Sequence, residues 1–259
     1  MKHDREQLLV ARLSVVQKLS LSEAVELLQV SESTVRRMFA KLERDGVAIR
    51  THGGIQNAGS AMTNYSFEYG ARTNIDLKTA IAREAVSYLD DGDVVFCDSG
   101  TTIRCLCAEL VRRVQHDGLK ITLYTNSLAN LELLVPYMQV NLVGGQYRAN
   151  RKDFCGYLTE QALQGLRFTK SFVGADGCVG EGQFTTTDFD TARMNQIAMR
   201  NSEKTFMLVD SSKFGISSHV IYAAIDDIDT VITDTGLEAG VMEELRRHKA
   251  RLICVNKEK

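Results

Sequence analysis

Ser31-Glu32-Ser33-Thr34-Val35-Arg36-Arg37-Met38-Phe39-Ala40-Lys41-Leu42-Glu43-Arg44 reads as one capped amphipathic helix. Val35, Phe39 and Leu42 fall at i, i+4 and i+7, so a single stripe is apolar and must face a core. Ser31 is a good N-cap, and Gly46 closes the pattern. The opposite face carries Ser33, Thr34, Arg36, Arg37 and Lys41. Upstream, residues 4–19 read as a helix with Leu9, Leu13 and Val16 on one side. Ser20-Leu21-Ser22-Glu23 has the form of a capping box and opens a short second helix with Ala24, Val25, Leu27 and Leu28 apolar. Downstream, Val47–Ile55 reads as two short strands around a glycine turn. Three helices with a tight turn before the third, followed by a β-ribbon, describe a winged helix-turn-helix.

The third helix of such a unit fits the major groove of duplex DNA. Arg36 and Arg37 can read guanine or clamp phosphate, and Lys41 adds charge on the same face. Ser31, Ser33 and Thr34 stand where hydroxyls and free helix-start amides bond phosphate. The ribbon offers Arg50 and His52. An arginine pair alone also suits a plain solvated face; the capping box, turn, polar face and ribbon together point to DNA. The charge balance agrees. Residues 1–56 hold nine Lys+Arg against seven Asp+Glu, while the rest of the 259-residue chain holds 22 against 26.

That length suits about two domains. With 44% hydrophobic residues the chain can build a core, which excludes general disorder. No apolar run reaches the ~18–20 residues of a membrane span, and the start has no signal-peptide core, so a cytoplasmic protein without membrane partners is expected. The six cysteines lack metal-ligand spacing and read as reduced, mostly buried thiols. Cys105 and Cys107 would face different sides of a helix, so no metal site is expected, nor any cofactor.

Residues 57–77, small and polar at their start, are expected as a linker between a DNA-binding domain at 1–56 and an α/β domain at 78–259. From Lys78 onward strands and helices alternate. Strands are expected at Val94–Asp98, Ile121–Thr125, Val140–Val143, Ser171–Gly174, Thr205–Asp210, Thr230–Thr233 and Arg251–Val255. Helices such as Thr102–Val114 and Leu237–Arg247 fill the gaps. Several strands are continuous apolar runs, the mark of a mostly parallel sheet covered on both faces. Polar or glycine-rich clusters follow five of these strands: Asp98-Ser99-Gly100-Thr101-Thr102, Thr125-Asn126-Ser127, Gly144-Gly145, Gly174-Ala175-Asp176-Gly177 and Asp210–Gly215. They converge on the sheet edge where open α/β folds bind ligands. Thr101 and Thr102 at a helix start suit a phosphate, Asp176 and Asn126 suit hydroxyls, and Lys213 supplies positive charge.

The run Val30-Ser31-Glu32-Ser33-Thr34-Val35-Arg36-Arg37, with Leu42-Glu43, Gly46 and Arg50-Thr51-His52-Gly53-Gly54, resembles the DNA-binding signature of DeoR-type bacterial transcription regulators. Two positions depart from it: Met38 stands where the family usually has Asp, and Gln29 where it usually has Gly. The strand-end clusters also resemble the family's effector domain, so the likeness spans nearly the whole chain. It implies a body similar in fold to ribose-5-phosphate isomerase, glucosamine-6-phosphate deaminase and CoA transferases, sensing a phosphorylated sugar. The implied pocket comprises Asp98, Ser99, Gly100, Thr101, Thr102, Asn126, Gly145, Asp176 and Lys213, with Lys78 as a further phosphate candidate that reads equally well as a surface charge. A homo-oligomer, dimer or tetramer, is expected, with operator DNA as partner and relief of repression by effector as the family habit.

Two rivals are weighed. One is a sugar-phosphate isomerase or deaminase carrying a DNA-binding head. Such chemistry needs a carboxylate near the reacting carbon, for which Asp176 and Asp210 are available. The isomerases' D-G-A-D stands here as Val173-Gly174-Ala175-Asp176, and their K-G-G-G has no counterpart at Gly182–Thr187. The expectation is therefore a sensor without catalytic residues. The other is an architectural DNA-binding protein with an inert body, against which the retained Gly100, Thr101 and Thr102 speak.

Overall fold

The computed structural model describes residues 2–16, 18–44, 48–51, 53–57 and 67–256. The chain divides into two compact units, Met1–Tyr65 and Ser66–Lys259. The first holds α1 (Lys2–Val16), β1 (Lys18–Ser20), α2 (Leu21–Leu28), α3 (Glu32–Arg44), β2 (Ala48–Thr51) and β3 (Gly54–Asn57). Leu9, Leu13, Leu28, Val35, Phe39 and Leu42 are buried together, as the helical spacing requires. The capping box forms: the Glu23 amide donates to Ser20 Oγ, and the Ser20 amide donates to Glu23 Oε2 at 2.7 Å. Gln29, after α2, is left-handed at φ 50°, a conformation that glycine adopts without penalty. Gly46 and His52 lie outside the described residues.

The expected first helix stops short of residue 19. Lys18–Ser20 instead extends and pairs antiparallel with β3, Leu19 opposite Ile55, which turns both apolar side chains into the core. The ribbon is thereby a three-stranded sheet in the order β1-β3-β2. Gly54 permits it: a Cβ there would stand 2.3 Å from the Leu19 carbonyl oxygen.

In the second unit, residues 67–77 are folded where a linker was expected. Phe67 is buried in α4 (Phe67–Gly70), and α5 (Ile75–Val86) follows directly. A seven-stranded sheet then forms from β4 (Val94–Cys97), β5 (Thr122–Thr125), β6 (Val140–Leu142), β9 (Phe168–Gly174), β12 (Ser202–Leu208), β14 (Thr230–Asp234) and β15 (Arg251–Val255). Its order is β15-β14-β12-β9-β4-β5-β6, and every pairing is parallel. These are the seven expected strands. Helices α6 (Thr101–His116), α7 (Leu128–Leu134), α8 (Tyr157–Gln164), α9 (Phe189–Arg200) and α10 (Ala239–Leu245) complete the unit. Phe172 packs with Leu106, Leu110 and Phe206 on one face of the sheet, and Val173 with Phe184 and Met207 on the other. The hairpin β7 (Gln146–Arg148) and β8 (Asp153–Cys155), and the antiparallel β10 (Gly177–Val179), β11 (Gln183–Thr186) and β13 (Val220–Ala224), are short additions beside it.

Replacing Gly54 by Ala forces backbone to move at both Leu19 and Ser20. Urea unfolding of Gly54→Ala should show the first unit weakened by about 1–3 kcal/mol with the larger unit unaffected.

Candidate functional site

Ser31, just before α3, is exposed, as are Ser33, Arg36 and Arg37 on the helix, and Thr34 is half-buried. Ser31 Oγ lies 3.0 Å from both Ser33 Oγ and Thr34 Oγ1, a hydroxyl cluster at the helix start. Arg36 has only a 3.7 Å contact with Glu32, both well exposed, so it costs little to redirect toward a phosphate or base. Arg37 reaches Thr34 at 3.5 Å. Lys41 is exposed, and its ammonium is 2.6 Å from Glu6 on α1, which ties two helices together. Arg50 leans 3.8 Å from Glu43. Met38 is half-buried against the core, so the apolar residue at this position packs inward.

In the second unit the strand-end clusters do converge. Asp98 is buried at the end of β4. Its Oδ1 accepts the Gly100 amide at 2.6 Å; its Oδ2 accepts the Gly174 amide at 2.8 Å and Asn195 Nδ2 at 3.3 Å. Burial lifts its pKa to about 6, against the pull of those donors and of Arg151. The carboxylate faces protein rather than ligand. What it positions is the start of α6, where Gly100 caps the 16-residue helix without any side-chain cap. Thr101 and Thr102 begin that helix, so their amides face outward with the helix dipole behind them. Asn126 is fully buried; its Nδ2 donates to the Phe154 carbonyl, while Oδ1 has no partner.

One flank of this helix start is basic. A Cβ on Gly70 would fall 3.2 Å from Thr101 Cγ2, so the end of α4 abuts α6. Lys78 is buried and donates to the Gly70 carbonyl at 2.6 Å and the Thr73 carbonyl at 2.8 Å. Burial lowers its pKa to about 8, opposed by Asp210 and assisted by Lys213. Lys78 is thus not the surface charge that its helix position allowed; it clamps the α4–α5 turn. Asn74 Nδ2 joins the turn to Asp210 at 3.1 Å and to Ser212 at 3.0 Å. Lys213 follows on the same loop and has no ion-pair partner among the described residues.

The other flank is a closed ion network. Ser99 Oγ donates to the buried Asp153 at 2.8 Å. Arg148 grips Asp153 with two bonds of 2.9 and 2.7 Å and reaches Asp188 at 2.8 Å. Arg151 is buried, bonds Thr187 at 2.7 Å and stands 3.6–3.7 Å from Asp153, Asp176 and Asp188. Asp176 accepts from the Thr186 hydroxyl and the Thr187 amide, both at 3.0 Å. Burial alone would raise Asp188, but the Thr191 amide and both guanidinium groups hold it below the usual carboxylate range. Arg148, Arg151, Asp153 and Asp188 escaped the sequence reading. Their one signal was the charged run Arg148–Asp153 just after two glycines. Gly145 belongs to packing instead: a Cβ there would stand 2.1 Å from Thr159 Oγ1 and 2.6 Å from the Cys155 carbonyl oxygen.

Among the described residues no group of three or more His, Cys, Asp or Glu is placed to hold a metal ion, and no helix is long and apolar enough to cross a membrane. For Asp98, the folded pKa of about 6 lies above the unfolded value, so its contribution to stability falls as pH rises from about 4 to about 6. A carboxyl-carbon NMR titration should place its midpoint near 6, well above an ordinary aspartate.

Residues 5–60 match the DeoR-like helix-turn-helix domain family, and residues 73–235 match the DeoR C terminal sensor domain family. The chain is 34% identical over 224 residues to a lactose phosphotransferase system repressor of Staphylococcus epidermidis, covering 82% of this chain and 84% of that one. It is 32% identical to the repressor of the same name in Lactococcus lactis, over 95% and 96% of the two chains. It is 31% identical to the HTH-type transcriptional regulator GlpR of Haloferax volcanii, over 93% of each. Among solved structures, ribose 5-phosphate isomerase A from Methanocaldococcus jannaschii is similar with a TM-score of 0.41 and 25% identity over 55% of each chain. With a winged head, a parallel α/β body and both domain families matched in order, this chain belongs to the DeoR family of DNA-binding transcriptional regulators.

Proposed function

We propose that the chain represses a carbohydrate-utilisation operon and releases its operator when a phosphorylated sugar binds at the start of α6. The uncapped α6 N-terminus carries this reading: a 16-residue helix ends without a side-chain cap at the ligand edge of a parallel sheet. Gly100, Thr101 and Thr102 would receive the phosphate, with Lys213 countering its charge. The unpartnered Asn126 Oδ1 would take a sugar hydroxyl. Lys78 and Asn74 would hold the basic flank in place, while Asp98, Ser99 and Asp176 act as scaffold. Gly145 has no part in it.

Ser31, Ser33, Thr34, Arg36 and Arg37 would meet the duplex, with Arg50 of the ribbon and with His52, which lies outside the described residues. Lys41, engaged by Glu6, would contribute less. One head grips a half-site weakly, and two copies multiply affinity through effective concentration. The effector acts by binding one arrangement of the heads better than the other. The protein would work in the cytoplasm beside the chromosome. Turnover is not part of this reading: the carboxylates of Asp176 and Asp210, the two acids available for it, already accept hydrogen bonds from the Thr187 amide and Thr186 hydroxyl and from the Ser212 amide and Asn74 Nδ2, and Val173 lies in the core.

The decisive experiment screens phosphorylated sugars for release of the protein from DNA upstream of its own gene. Release by at least one is expected; conversion of the sugar into product would overturn the sensor reading. Arg36→Ala and Arg37→Ala should each weaken operator binding by about 1–3 kcal/mol where the arginine reads a base. Wild-type affinity in both variants removes α3 as the reader. Thr101→Val should abolish the effector response and leave DNA affinity intact; a normal response places the phosphate elsewhere.

A further inference from the structure

One cation of the reading helix is restrained by the head itself. Thr34, Arg37 and Lys41 fall at i, i+3 and i+7 of α3, a stripe turned away from the buried Val35, Phe39 and Leu42. On that stripe Arg37 meets only Thr34, at 3.5 Å, and the neighbouring Arg36 lies 3.7 Å from Glu32. On the ribbon Arg50 stands 3.8 Å from Glu43. These contacts are loose. Lys41 is held differently: its Nζ donates to both carboxylate oxygens of Glu6, at 2.6 and 2.7 Å. Glu6 belongs to α1, 35 residues away in the chain. It stands one turn before Leu9, which is buried in one cluster with Phe39 and Leu42, close neighbours of Lys41 in α3. Core packing therefore sets the carboxylate beside the ammonium. The Glu6 side chain is 21% exposed against 68% for Glu32, so water and salt screen its pair less.

We propose that Glu6 limits the affinity of the head for DNA by holding Lys41 off the phosphate backbone. A lysine ammonium is a compact charge on a flexible stem, suited to a phosphate more than to a base edge. Lys41 lies one turn from Arg37, on the side of α3 that reads the duplex. A phosphate that recruited it would have to displace a carboxylate already bonded twice. It would also leave that carboxylate unpaired beside a polyanion. Glu6 thus removes one backbone contact from each head. A lone head is kept weak, and occupancy of DNA depends on pairing heads. The inference rests on α3 as the reader and takes nothing from the start of α6.

Glu6→Gln in the full chain tests it. Glutamine keeps an acceptor for Lys41 without the charge. An exposed pair adds little to folding, so circular dichroism should match the wild type. The probes are a duplex of unrelated sequence and the DNA upstream of the gene, titrated between about 50 and 200 mM salt. Glu6→Gln should bind both about 5-fold tighter or more at about 0.1 M salt, and the slope of log affinity against log salt should steepen by about 0.9 per head. Adding Lys41→Gln to Glu6→Gln should return affinity and slope to the wild-type values. Charges beyond about 10 Å are screened at that salt, so a gain that needs Lys41 is a local contact. An unchanged Glu6→Gln overturns the proposal. So does a gain that survives in the double variant. A double variant weaker than wild type overturns it too, because Lys41 would then already grip the duplex. If Glu6→Gln is unchanged while Arg36→Ala or Arg37→Ala weakens binding, α3 remains the reader and only the restraint on Lys41 falls. If all three bind as the wild type does, both readings fall.

Discussion

The carboxylate of Asp98 holds together the edge of the second unit where the parallel strands end. It accepts the amides of Gly100 and Gly174 and the side-chain amide of Asn195, and its own carbonyl accepts Asn130 Nδ2 at 2.8 Å. One residue at the end of β4 thus fixes the start of α6, the end of β9, and the facing sides of α7 and α9. Burying it is costly for the charged form, which is why its pKa rises. The fold tolerates this because hydrogen bonds replace most of the lost water. The geometric return is a fixed α6 N-terminus that carries no side-chain cap.

Around that point the charges are sorted. Arg148 and Arg151 are matched by Asp153, Asp176 and Asp188, so they are largely spent on one another. Lys78 is spent on two carbonyls. Lys213 has no ion-pair partner among the described residues, and it belongs to the loop that Asn74 anchors.

The parallel sheet was legible because Val94–Cys97 and residues 206–209 are apolar runs with no polar alternation, which only a doubly covered strand needs. The capping box at Ser20 and Glu23 was legible because its spacing is local. β1 was not: Lys18-Leu19-Ser20 holds no proline or glycine to mark the end of a helix, and its strand pairing depends on Gly54, more than thirty residues away. The arginine network was hidden for a similar reason. Arg148 and Arg151 gain their partners only when the hairpin brings Asp153 and α9 around them. Lys78 was ambiguous because its partners, the carbonyls of Gly70 and Thr73, lie in a segment that reads as linker.

The β1–β3 pairing has a thermodynamic implication for the head. The ribbon is stitched to the strand that leads into α2, and the Leu21 amide donates to the Gly53 carbonyl at 2.8 Å. Ribbon and helices therefore share one hydrogen-bonded frame before any duplex arrives. A reader assembled in advance surrenders little backbone freedom on contact. Its association enthalpy and heat capacity should then report groove and phosphate contacts, with only a minor folding component.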